Sequence, residues 1–353
     1  MASVPALVPA EHTSDHVLVV PRRPDDDGGA GHDRPRPDGP GHDRPGDRPG
    51  GDLPELAAAW FDDVAWLAEP SAAAPGRPAG GARFHGVRAA VRSAPGVLRL
   101  GAEHRATGPF PLDPAAAAAL GTAAPADAWA LGRGDGALDV RGARPAVHDD
   151  HDGIALAFAA AMPVGEELRV VRWAVAVARR AAGVLLADGR QAVRPDPGAA
   201  VDLTVRPARP VHAEELLEVV RAVVATARLE AVPGGPGHQV LARTPYDGDL
   251  VVAPGATTGR PWSLPTDRGQ GGSDGAAVHL VWRPPDPYEL QVFEPSGLHL
   301  IARDRARALL ARAATLLRGR AGGVVVDDAG FEVSERDLEL RRAAASPGAR
   351  AWV

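Results

Sequence analysis

The chain has 353 residues, 45% of them hydrophobic, with a formal net charge of -6 and no cysteine. The length predicts two domains or one pseudo-symmetric pair. Disulfides, thiolate metal sites and cysteine nucleophiles are excluded, and the acidic balance argues against a nucleic acid or an anionic membrane as a non-specific partner. All of the basic residues are arginine, alongside 41 glycines and 35 prolines. A bias of that kind makes any single arginine a weaker sign of phosphate or carboxylate recognition, despite its suited fork geometry. The N-terminus lacks a basic stretch followed by an apolar one. The longest apolar run, around 154–162, is far short of the ~20 residues that a membrane helix needs. A soluble, cytoplasmic protein without membrane contact is expected.

In chain order, residues 16–20 (HVLVV) read as a strand. From about 21 to 51 the chain is rich in His, Asp, Arg, Pro and Gly, and Gly31-His32-Asp33-Arg34-Pro35 returns as Gly41-His42-Asp43-Arg44-Pro45. So few apolar side chains predict a disordered insertion. A helix is predicted over 52–67, with Leu56, Trp60, Phe61, Val64 and Leu67 on one face and Asp52 and Glu55 as a capping pair. Two weak strands are expected around Ser93-Ala94-Pro95-Gly96, and a hairpin around Gly134-Asp135-Gly136. The alternation of Ile154, Leu156 and Phe158 predicts a half-buried strand. A helix over 166–181 follows, opened by Glu166 and Glu167, closed by Arg179 and Arg180 and ended by Gly183. A hairpin through Asp188 completes this unit.

The pattern restarts at Val201. A strand over 201–207 is followed by an amphipathic helix carrying Leu216, Leu217, Val220, Val224 and Ala227. Strands are predicted on either side of Pro245-Tyr246-Asp247-Gly248, and again as AAVHLVWR and YELQVF around Pro284-Pro285-Asp286-Pro287. The long helix 301–320 and the hairpin AGGVVVDDAGFEV then echo 166–193, with Gly183 aligned on Gly323 and Asp188 on Asp328. The order strand, helix, antiparallel strands, helix, hairpin thus occurs twice. The expected fold is α+β: two pseudo-repeated halves, 1–200 and 201–353. Each is an antiparallel sheet with two helices on one face, an elaborated ferredoxin-like or split βαβ unit.

Chemistry is less legible. Two imidazoles and three carboxylates crowd 148–152, and His148, Asp150 and His151 are the candidate divalent-metal ligands. Asp135, Asp188, Asp247 and Asp328 occupy turn positions, so Asp327-Asp328 and Asp188 read as turn residues rather than acid/base pairs. His279 and His299 read as structural. The sequence contains no G-x-S-x-G, Walker, G-x-G-x-x-G or H-E-x-x-H motif. Arg303, Arg305, Arg307, Arg312 and Arg318 are expected on a solvent face of the last long helix, where they give the chain a route to an acidic partner or nucleic acid. The preferred expectation is a non-catalytic binding protein for an unknown protein or small ligand, with no cofactor and of unknown oligomeric state. The alternatives are a metal-assisted hydrolase using the 148–152 cluster and an arginine-driven nucleic-acid binder.

Overall fold

The protein was described from a computed structural model covering residues 7–22, 53–71, 94–123, 125–136, 140–143, 150, 152–232, 237–256, 276–292 and 294–343. The chain begins with β1 (His16–Pro21), α1 (Leu53–Ala58), β2 (Ala65–Ala68), β3 (Gly96–Leu100) and β4 (His104–Pro111). It continues through α2 (Pro114–Ala119), β5 (Ala126–Arg133), β6 (Arg141–Gly142), α3 (Ile154–Ala157) and β7 (Met162–Pro163). The long helix α4 (Gly165–Ala181) then leads into β8 (Val184–Ala187) and β9 (Gln191–Val193). Next come β10 (Leu203–Arg206), α5 (Ala213–Arg221), β11 (Arg228–Ala231), β12 (His238–Thr244), β13 (Gly248–Ala256) and β14 (Ala276–Arg283). The chain closes with α6 (Gly297–Ala321), β15 (Val324–Asp327) and α7 (Glu335–Ala343). The result is a mixed α+β protein built on antiparallel sheets. Among the described residues, no helix is long and apolar enough to cross a membrane.

Two compact units divide these elements. Unit 1 takes the described parts of Met1–Gly29, Asp63–Arg144 and Ala157–Arg194; unit 2 takes those of Ala30–Asp62, Pro145–Leu156 and Pro195–Val353. The sheet of unit 1 has the order β2-β3-β4-β5-β1-β8-β9, and that of unit 2 the order β11-β12-β13-β14-β10-β15.

In unit 1, β1 is buried on both faces, because successive side chains of a strand point to opposite sides. Val17 and Val19 join Ala117 and Leu120 of the α2 region in one cluster, while Leu18 is fully buried on the other side, where His16 meets Glu167 of α4. The helices of unit 1 therefore cover two faces of its sheet, not one as the pattern predicts. In unit 2, alternate residues Leu203, Val205, Leu250, Val252, Val278 and Leu280 pack with α5 and α6 in a single core.

Four local expectations change. The helix predicted over 52–67 stops at Ala58, and Phe61 N–H closes it on Ala57 O. Residues 65–68 instead form β2, with Ala65 opposite Arg99 and Trp66 opposite Leu98, so strand pairing satisfies their backbone and overrides the helical period. Ile154 to Ala157 are helical rather than extended, because the Asp150 carboxylate accepts the Ala155 and Leu156 N–H groups at 2.7 and 2.8 Å. The expected strand YELQVF begins as a 3-10 turn, Pro287–Leu290, capped by Asp286, which accepts Tyr288 N–H. Helix α7 is an addition that Ser334 and Asp337 announce: Ser334 Oγ accepts Asp337 N–H and Asp337 Oδ2 accepts Ser334 N–H, a reciprocal cap. The repeat-rich tract beyond Arg22 and the apolar run 86–92 lie outside the described residues.

Asp202, at the start of β10, gives unit 2 a pH dependence. Burial pushes its carboxyl up to about 6; the bond from Trp282 N–H opposes this and Asp328 adds to it. The ordinary value is 3.8, so the folded chain holds this proton to higher pH than the unfolded chain. The resulting stability is fully present below 3.8 and is lost as pH rises through about 6. Asp202→Asn keeps an acceptor for Trp282 N–H without the charge. Urea unfolding should find the variant more stable than the parent by ~2 kcal/mol near neutral pH and equal to it near pH ~4.

Candidate functional site

Among the described residues of unit 1, a polar set with a buried His–Glu pair lies where β1, α4 and the β8–β9 turn meet. His16 is the first residue of β1 and shares a face with Leu18. It is 4% exposed. Glu167 is in the first turn of α4, three, four and seven residues before the buried Val170, Val171 and Ala174, so the helical period carries it onto the apolar stripe. Its exposure is 2%. Asp188 is in the turn after β8, with φ +48°, and Gly189 after it has φ +65°. Consecutive positive φ values are what a tight primed hairpin turn demands.

The hydrogen bonds assign the proton. Asp188 N–H donates to His16 Nδ1 at 3.0 Å, so Nδ1 is the acceptor and Nε2 carries the hydrogen. Nε2–H then donates to Glu167 Oε1 at 3.0 Å. Arg141, on the short strand β6, completes the set. Its Nη2 reaches Glu167 Oε1 at 2.7 Å and Asp188 Oδ1 at 2.8 Å, and its guanidinium carbon lies 5.0 Å from the ring centre of Phe158. Phe158 meets His16 edge-on at 5.5 Å. The ligand atoms of His16, Glu167 and Asp188 lie within 4.8 Å of one another, a spacing that suits a metal ion. The two carboxylate oxygens such an ion would need already share the Arg141 cation. Glu167 Oε2 is buried without a partner.

The neighbouring Glu166 points the other way and ties α4 to the β3–β4 turn. Its Oε1 accepts from Glu103 N–H at 2.8 Å, His104 N–H at 3.1 Å and His104 Nδ1 at 3.0 Å. Burial raises this carboxyl, but those bonds outweigh it and hold the group below the ordinary carboxylate range. Gly101, at φ +71°, lies against the same carboxylate, where a Cβ would come within 3.1 Å of Glu166 Oε1 and meet an unfavourable φ as well.

The chain matches no family model, no curated protein and no solved structure.

Of the residues singled out from sequence, Asp150 spends both carboxylate oxygens capping α3, while His148 and His151 lie outside the described residues. Asp327 Oδ1 accepts the Ala329 and Phe331 N–H groups and shapes the turn after β15. His279 is within 3.1 Å of Thr204 Oγ1 through Nδ1. His299 is buried 5.0 Å from the Trp282 ring, and burial, followed by Arg303, lowers its basicity. The arginines of α6 do not form a solvent row. Arg303 is buried against Asp196, Arg305 reaches Asp247 and Arg318 reaches Glu335, because an alanine-rich helix admits neighbours on several sides. Of the unit 1 set, Asp188 was visible in the sequence as a turn residue. His16 and Glu167 carried a usable signal, a polar residue in phase with an apolar face. Arg141 carried none, since it stands in a two-residue strand.

Proposed function

We propose that the protein is a non-catalytic binding protein built on a duplicated α+β scaffold, with a protein or small ligand as its partner. The observation that carries the reading is that both ring nitrogens of His16 are engaged within the fold. An imidazole that accepts from one backbone N–H and donates to a carboxylate has no free lone pair to act as general base. The set holds elements together, joining β1, α4, β6 and the β8–β9 turn.

The strand orders support the duplication. β2-β3-β4-β5-β1-β8 in one sheet corresponds position by position to β11-β12-β13-β14-β10-β15 in the other. In each, the first strand lies antiparallel between two others, β1 between β5 and β8 and β10 between β14 and β15, as the middle strand of a split βαβ unit does. Gly183 and Gly323, each just before the strand that follows the long helix, also match. A Cβ on Gly183 would overlap the carbonyl oxygen of Val19, and one on Gly323 that of Arg206. A cleft of about 330 Å³ beside β11 and β12, lined by Thr226, Arg228, Leu241 and Arg243 among others, is of a size for a small ligand.

The competing reading is a metal-assisted hydrolase centred on His148, Asp150 and His151. Metal analysis of protein purified without a polyhistidine tag separates the two. The binding-protein reading expects no stoichiometric metal, whereas bound metal that His148→Ala and His151→Ala abolish would replace it with the hydrolase. Metal abolished by His16→Ala would instead move the centre to unit 1. For nucleic acid, flow-through on heparin at low salt is expected.

A further inference from the structure

We propose that unit 2 holds an oxyanion site between α6 and α7, formed by Arg303, Arg307 and Arg341, for a small tetrahedral anion of the phosphate class. Arg303 and Arg307 are four residues apart and so share one side of α6, and α7, which packs on α6, brings Arg341. Arg303 and Arg341 are 8% and 7% exposed.

Two of the three cations have acceptors that tie them to the segment 196–200. Arg303 Nη2 donates to Asp196 Oδ2, whose other oxygen accepts Gly198 N–H at 2.7 Å. Arg341 Nη1 donates to Ala200 O at 2.9 Å. Arg307 makes no hydrogen bond or ion pair among the described residues, and the Nε–H groups of Arg307 and Arg303 are buried without acceptors. Burial, with Arg341 and Arg303 adding repulsion against the pull of Asp304 and Asp196, brings Arg307 down to about 10. Asp196 is pushed up by burial, yet Gly198 N–H, Arg303 and Arg307 hold it below its ordinary range, so it remains an anion. Among these guanidiniums, Arg307 keeps the Nε–H of its Nε–Nη edge without an acceptor. That edge matches two oxygens of a phosphate group. Asp196, half exposed, marks where the cluster meets solvent.

The site stands independently of the binding-protein reading, since metal found in unit 1 would leave it intact. Its test is calorimetric titration of the full chain, in phosphate-free buffer at constant ionic strength, with inorganic phosphate, phenyl phosphate and acetate. Saturable phosphate binding, one per chain, is expected, with acetate much weaker. Arg307→Met should weaken phosphate by about tenfold or more, and Arg307→Lys, which keeps the charge and loses the fork, should also weaken it. Arg312→Met, at an exposed position of the same helix, should change nothing. Tighter binding of phenyl phosphate would identify a phosphomonoester as the ligand, and tighter binding of inorganic phosphate the free ion. No saturable binding at millimolar phosphate, acetate binding as tightly, or unchanged affinity in both Arg307 variants would overturn the site.

Discussion

Gly323→Ala is expected to destabilise the protein by ~3–5 kcal/mol, measured by urea unfolding. Two independent penalties add. Gly323 has φ +89°, where a side chain costs ~1–3 kcal/mol, and its Cβ would overlap the Arg206 carbonyl oxygen, forcing a backbone shift of similar cost. The overlap falls where Arg206 pairs with Val324 at the start of β15, so relief would loosen the edge of the unit 2 sheet. Gly183→Ala meets the Val19 carbonyl in the same way but without the positive φ, and ~1–3 kcal/mol is expected. Gly319→Ala, on α6 with open space around its Cβ, is the control. It should stabilise by ~0.5–1 kcal/mol, because alanine loses less freedom in a helix. A Gly323 variant as stable as the parent would remove the close approach as a cause, and with it one support for the duplication.

Glu167→Ala should remove ~3–5 kcal/mol as well, by a different route. The carboxylate is buried and serves His16 Nε2–H and Arg141 at once. Its loss leaves a buried donor unpaired and a cation with Asp188 alone, and breaking one side of a buried ion pair is costly. The double substitution His16→Leu with Glu167→Leu removes the unpaired imidazole donor and refills its space, and should recover part of the loss, Arg141 still keeping Asp188 alone. Such recovery marks the set as structural. If a binding or catalytic activity disappears in the double variant while that part of its stability is restored, the set acts on a ligand instead.

Elements with local causes are legible in the chain. The apolar stripes of α4 and α6, the Asp-Gly turns at Asp188 and Asp247, and the strand at His16 to Val20 follow from periodicity and from residues that tolerate positive φ. The mixture of helical and alternating patterns also points to an α+β protein with antiparallel sheets. Short segments behaved otherwise. Whether 154–157 is helix or strand hung on a cap from Asp150, and whether 65–68 is helix or strand hung on β3 as a partner. Neither is visible within the segment.

Which polar residues meet depends on packing between distant elements. His16, Arg141, Glu167 and Asp188 are spread over more than 170 positions, with 172 between the first and the last, and no spacing rule links them. The pattern alone puts Arg303 and Arg307 on a solvent face, because charge on a helix is usually solvated. α7, an element the pattern did not reveal, closes over that side of α6 and turns it into a crowded cation cluster. Local physics sets each element, but the meeting of side chains from distant elements depends on how the sheets close and what the helices cover.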